Sequence, residues 1–313
     1  MKFIWFNYLE QIFPIISISK MIIYTDTEMS WFADSLAEAA LDNQIQISTT
    51  LLDEMSLDDM IEIQQSFGIY SMDTLLVGIF SPKNVAIDLI NDLFPALHVP
   101  LNFSGYSLIT VQEIPPQILD EFLMLDYSLV INGLNEISST LTKNQSYQLT
   151  TQSGTNLTFT LDSDIEVFPF HPNYSTRHVL FPCTEAVATI KRDSMNGTLI
   201  VDVTVGAYRE EGIIVDPFGK IKTPLKLEFS NGKISNVDDD HQYGERLTEL
   251  FGSWAMDDLL AVKIGFGLGP DIVSIGDIIV DKQIKDTFNI GINNRTLEFV
   301  ALNPLIKPIS NNN

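Results

Sequence analysis

Four imidazoles and one thiol bound the nucleophilic and soft-metal chemistry open to this chain: His98, His171, His178, His241 and Cys183. As a nucleophile Cys183 needs a base in hydrogen-bond reach, such as His171 or His178. A lone cysteine is more commonly a small buried apolar residue. His171 and His178 flank Pro172–Arg177 in a loop-like stretch, which makes them loop or interface residues before ligands. Arg177, one of few basic residues here, has the fork that holds a carboxylate or pairs with a surface acid. The run Asp238-Asp239-Asp240-His241 carries oxygen donors suited to a hard cation. It also reads as a solvated loop that supplies a helix N-cap, since it lies between a hairpin strand and a helical stretch.

The chain that must position these groups has 313 residues, with 18 Lys and Arg against 41 Asp and Glu, a net charge of −23. Apolar residues make up 45%, enough for a large core. A single Cys leaves no disulfide framework within the chain. The acidity argues against binding a phosphate backbone, so nucleic acid is not an expected partner, and it favours a basic or neutral ligand. The opening MKFIWFNYLEQIFPIISISK is apolar, but Asn7, Glu10 and Gln11 interrupt it and no small-x-small site follows. It is read as a buried amphipathic helix leading into a strand. With no membrane-length apolar stretch, a cytoplasmic, membrane-free protein is expected. The sequons at Asn102, Asn144, Asn156, Asn173, Asn196 and Asn294 are read as by-products of composition.

The pattern changes near residue 145. Before it, strand-like and helix-like runs alternate. Lys20–Thr25 and Thr74–Phe80 are short apolar runs, and Met29–Asp42, Leu57–Ser66, Asn84–Leu97, Gln117–Leu123 and Tyr127–Leu141 are helical in spacing. This predicts an α/β N-terminal domain, 1–145, with a mainly parallel sheet. After it come Tyr147–Thr151, Asn156–Leu161, Gly197–Val205, Leu225–Phe229 and Lys233–Asn236, separated by Ser153-Gly154, Asn196-Gly197 and Asn231-Gly232. One helix is expected over Gly244–Leu260. The second half, 146–313, is therefore expected to be a β-rich α+β domain.

Several segments also resemble, in order, the motifs of one metalloenzyme superfamily. Thr151–Phe159 resembles TSxxGTDLxF, Phe181–Val187 resembles LPxGEV, Asn196–Asp202 resembles NGTIVxD, and Leu225–Val237 resembles LTFEDGKVVxV. Ile264–Pro270 is similar to LGIGxNP, Asp281–Ile290 to DEKxxGTxHI, and Thr296–Val300 falls where HxDFV stands. The superfamily contains the thermophilic-type leucyl aminopeptidases (aminopeptidase T and relatives) and the 2,5-dihydroxypyridine dioxygenases. The resemblance implies a C-terminal domain of aminopeptidase T-like type that carries a metal site, and a homodimer. It implies a pair of divalent ions, Zn or Mn, of which one polarises a carbonyl while both activate a bridging water.

At the ligand positions the resemblance mostly fails. Glu185 matches the Glu of LPxGEV, and Glu298 stands for the Asp of HxD. Lys263 replaces a Glu, Asn289 replaces the His of GTxHI, and Thr296 replaces the His of HxD. Lys282 stands for the Glu of DEK and Asp286 for the Gly of GT. An ammonium repels a cation, so Lys263 is expected in place of an ion, paired to Glu185 and Glu298. Two functions follow. One is a non-catalytic, cofactor-free relative, a pseudoenzyme that binds a peptide or protein partner, as an accessory factor in peptide maturation. The alternative is an active metal-dependent hydrolase with a rebuilt site. It would use Glu185, Glu298 and one or more of His171, His178, His241, Asp281 or Asp286. A single-iron, dioxygenase-like site is disfavoured because it needs the imidazoles that Asn289 and Thr296 replace.

Overall fold

The computed structural model describes residues 5, 8, 11, 18–55, 73–79, 107–111, 114–167, 178–182, 184–210, 213–255, 257–292 and 297–309. The helices expected over 57–66 and 84–97 lie outside the described residues. The chain divides into two units, 1–128 with 168–183, and 129–167 with 184–313.

The first unit is built on a five-stranded sheet in the order Gln46–Leu51, Lys20–Thr25, Thr74–Ile79, Ser107–Val111, His178–Phe181. Every neighbouring pair is parallel. Thr74–Ile79 is buried at every residue, as a continuous apolar run demands when both sheet faces are covered. After Lys20–Thr25 the chain turns at buried Asp26, whose Oδ1 accepts a hydrogen bond from the Met29 amide. That bond starts the helix Ser30–Asp42, which buries Phe32, Ala33, Leu36, Ala39 and Ala40 on one face. Trp5 and Tyr8 are helical and buried, and both rings pack on Phe181, at 5.7 and 4.8 Å between centroids. The helix Pro116–Leu123 and the helix Tyr127–Thr140, most of which belongs to the second unit, match their expected spans to within a residue.

The second unit holds two large antiparallel sheets around one apolar cluster, and a two-stranded antiparallel ribbon, Tyr208–Glu210 with Ile213–Asp216. The first has the order Lys233–Val237, Leu225–Ser230, Asn196–Val201, Asn156–Thr160, Ser146–Thr150, Leu305–Pro308. The second runs Gly219–Lys220, Thr204–Val205, Leu297–Leu302, Thr287–Ile292, Ala261–Gly267, Glu185–Thr189, Glu166–Val167. Asn231-Gly232 closes a hairpin with φ of 49° and 78°, the positive pair that a two-residue turn of this hand requires.

Three expectations are corrected. The strand expected over Gly197–Val205 is two, Asn196–Val201 in one sheet and Thr204–Val205 in the other. Between them Asp202 leaves strand pairing, and its Oδ1 accepts from the Leu302 amide. The helix expected over Gly244–Leu260 stops at Ser253, where Trp254 turns extended and packs on Phe251 and Tyr208. That helix also has no side-chain N-cap from the acidic run, for its cap residue is Tyr243. The two units are not successive halves of the chain. The chain returns at His178–Phe181 to extend the first sheet, and periodicity within a segment carries no information on such distant pairing.

Candidate functional site

The site lies on one face of the larger antiparallel sheet of the second unit. Strand alternation sets it up. Along Glu185–Thr189, Ala261–Gly267, Thr287–Ile292 and Leu297–Leu302, one face carries Ala186, Ala188, Ile264, Phe266, Phe288, Ile290, Leu297 and Phe299, all in the apolar cluster. The intervening residues face the other way, and these include Glu185, Lys263, Asn289 and Glu298. Each of the four has a glycine as a cross-strand partner. Glu185 is opposite Gly267, Asn289 opposite Gly265, and Lys263 and Glu298 both opposite Gly291. Gly265 leaves room for the Glu185 and Asn289 side chains to fold over the sheet. A Cβ on Gly265 would overlap both Glu185 Oε1 and the Asn289 side-chain amide.

The groups meet closely. Lys263 Nζ lies 2.7 Å from Glu185 Oε1 and 2.7 Å from Glu298 Oε1. Lys282, just after the short helix Ile278–Asp281, brings a second ammonium to 3.0 Å from Glu298 Oε2 and 3.7 Å from Glu185 Oε2. Asn289 donates from Nδ2 to Glu185 Oε1 at 2.8 Å. Lys263, Asn289 and Glu298 are buried. For Glu298, burial works to raise the carboxyl pKa, but the charges of Lys282 and Lys263 and their hydrogen bonds outweigh it. The pKa falls from 4.5 to about 2.

The pairing expected of Lys263 with Glu185 and Glu298 is therefore present. Thr296, Cys183, His171 and Arg177 lie outside the described residues, as does the side chain of His178. Of the other candidates for a rebuilt site, His241 and Asp281 are engaged elsewhere. His241 Nε2 meets Thr223 O at 2.6 Å while its Nδ1 accepts from the Tyr243 amide. Buried Asp281 accepts from Thr204 Oγ1, Ser274 Oγ and the amides of Ile275 and Gly276. Asp286 is exposed in a left-handed turn, φ 62°. Asp238 and Asp239 accept from the Asp240 amide and the Thr248 hydroxyl, which makes the acidic run a structured surface turn. Among the described residues no group of three or more His, Cys, Asp or Glu is placed to hold a metal ion. In the sequence Lys282 shows only as a replacement for the Glu of DEK, and its place in the cluster comes from the structure. The available signal was a second acid-to-base exchange in the same direction as that at Lys263.

A pair of divalent ions does not fit the residues present. Both carboxylates are already bonded to ammonium groups, whose charge opposes an incoming cation and whose nitrogens have no lone pair to offer it.

No protein-family model matches the chain, and no curated protein matches it in sequence. Its fold does match solved structures. The 2,5-dihydroxypyridine dioxygenase from Pseudomonas putida KT2440 superposes with a TM-score of 0.65 at 13% identity, over 98% of this chain and 92% of that one. Wild-type AmpT from Thermus thermophilus superposes with a TM-score of 0.55 at 9% identity, over 97% of this chain and 91% of that one. At such identities the likeness is one of fold. No helix among the described residues is long and apolar enough to cross a membrane.

Proposed function

We propose that this protein is a non-catalytic member of the aminopeptidase T-like group that binds a peptide or protein partner, as an accessory factor in peptide maturation. The observation that carries the reading is the double bridge from Lys263 to Glu185 and Glu298, joined by Lys282. A hydrolase of this kind needs carboxylates free to hold ions that polarise a carbonyl and generate hydroxide. Here the two carboxylates are neutralised by the chain's own cations. The fold likeness to AmpT supports a peptide as the ligand class, and the acidity of the chain favours a basic or neutral one. The reading carries with it a homodimer in the cytoplasm and no bound metal cofactor. Of the residues open to the rebuilt-site alternative, His241 and Asp281 would have to leave partners that already satisfy them, and His171 and the His178 side chain lie outside the described residues.

The test is incubation of the purified protein with a mixed peptide library, with and without added Zn²⁺ or Mn²⁺. The expected result is saturable retention of a subset of peptides with no new amino termini under either condition. Metal-stimulated release of amino-terminal residues would contradict the reading.

A further inference from the structure

Each of the three large sheets has two outer strands, and most of these are ill suited to receive another strand. In the six-stranded sheet, Leu305–Pro308 follows Pro304 and ends in a proline. At its other side Lys233–Val237 opens on a lysine and already gives the Ile234 amide to Leu259 O. In the seven-stranded sheet the outer strands, Gly219–Lys220 and Glu166–Val167, are two residues each. In the parallel sheet, His178–Phe181 is four residues long and runs into Pro182. Gln46–Leu51 differs. It runs six residues in unbroken register with Lys20–Thr25, and it contains no proline, glycine or charged residue. Among the described residues no strand pairs with its outer side. Gln46, Ser48 and Thr49 are exposed, and Ile47, Thr50 and Leu51 are half-buried. An edge of this kind offers a row of N–H and C=O groups to an incoming strand, and natural proteins usually blunt it.

Charge decides which strand fits. The helix Ser30–Asp42 leads into the strand and ends in exposed Asp42, and exposed Asp53 follows the strand in the turn Leu52–Glu54. An acid thus flanks each end of an uncharged strand. A second copy pairing about a two-fold axis would run antiparallel and bring the Asp42 end of one strand to the Asp53 end of the other. Acid would meet acid, in a chain whose net charge is already −23. A segment with basic residues at both ends meets opposite charge instead. We propose that the outer edge of Gln46–Leu51 takes an extended, basic-ended peptide segment as a sixth, antiparallel strand of this sheet. Main-chain hydrogen bonds supply the hold, and Asp42 and Asp53 supply the selection. An antiparallel edge strand on an otherwise parallel sheet is a common arrangement. The edge spans roughly 17–20 Å, so the basic residues belong on either side of an extended core of about six residues. The inference rests on the proposed function in one respect, that a peptide or protein segment is the ligand.

The test uses a fluorescein-labelled peptide with a core of about six alternating threonine and valine residues and a pair of lysines at each end. One companion peptide has glutamates in place of the lysines, and another carries N-methyl groups on every core amide. Affinity is read by fluorescence anisotropy at low salt, and location by amide hydrogen exchange. The lysine peptide is expected to bind saturably and to slow exchange within Gln46–Leu51. Each companion is expected to bind at least about tenfold more weakly, the first by repulsion and the second for want of main-chain donors. Ser48→Lys alters an exposed side chain and blunts the edge, and is expected to keep the wild-type melting temperature and lose at least about tenfold in affinity. Asp42→Asn with Asp53→Asn is expected to weaken binding about threefold or more at low salt, a difference that fades at high salt. If the lysine peptide does not bind saturably, or binds without slowing exchange within Gln46–Leu51, the inference is overturned. The proposed function then stands if a mixed peptide library still yields retained peptides, and falls with the inference if it does not. Protection of Gln46–Leu51 that grows with protein concentration alone would identify a second copy on this edge and overturn the inference as well.

Discussion

Lys263 Nζ stands 2.7 Å from Glu298 Oε1, with both side chains almost wholly withdrawn from solvent. Such a pair contributes little net stability compared with apolar residues of the same shape, yet breaking it from one side is costly. Lys263→Ala leaves buried Glu298 and half-buried Glu185 to a single ammonium. The expected loss is roughly 3–5 kcal/mol, read from denaturant midpoints. In a double-mutant cycle, Lys263→Met combined with Glu298→Gln is expected to cost less than the sum of the two single changes.

Acid should weaken the fold through Glu298. Its folded pKa is about 2 against an ordinary 4.5. Between those values the unfolded chain binds the proton that the folded chain refuses, so stability rises with pH. The contribution is fully present above pH 4.5 and is lost as pH falls through about 2. The shift corresponds to roughly 3 kcal/mol. Melting curves collected across that interval should show a decline in wild type that is reduced in Glu298→Gln.

Gly265 is the floor under the Glu185–Asn289 bond. Gly265→Ala would press a methyl group into side-chain ends that the surrounding ion pairs hold in place. The expected cost is about 1–3 kcal/mol in chemical denaturation, and the Asn289 side-chain amide protons should lose their hydrogen-bonded shift in nuclear magnetic resonance.

Asp281 plays a different part. It gathers two hydroxyls and the amides of Ile275 and Gly276 onto one buried carboxylate, and Lys282 follows it directly in the chain. Asp281→Asn replaces an acceptor oxygen with a donor nitrogen facing those groups. A loss of roughly 2–3 kcal/mol is expected, with faster hydrogen exchange at Ile275 and Gly276.

What the sequence made legible, and what it did not, follows from the range of the interactions. Lys20–Thr25 and Thr74–Ile79 show as apolar runs because burial on both faces is a property of the segment itself. Asn231-Gly232 shows because turn chemistry is local. The pairing of Lys263 was legible only through the resemblance, which sets Glu185, Lys263 and Glu298 at ligand positions of one site, where an ammonium must find acids. Lys282 escaped placement because it sits in a turn, where no periodicity says which way a side chain points. The return of His178–Phe181 to the first sheet escaped because parallel pairing across so many residues leaves no mark within either strand. The tasks of Asp281 and His241 were equally hidden, since their partners are backbone groups of other segments.

The most direct measurement is metal content, by mass spectrometry, of protein purified without chelator, beside a Lys263→Glu, Asn289→His, Thr296→His variant. The account predicts natural protein essentially free of Zn and Mn, and a variant that gains near-stoichiometric metal. One or two tightly held ions in the natural protein would contradict it.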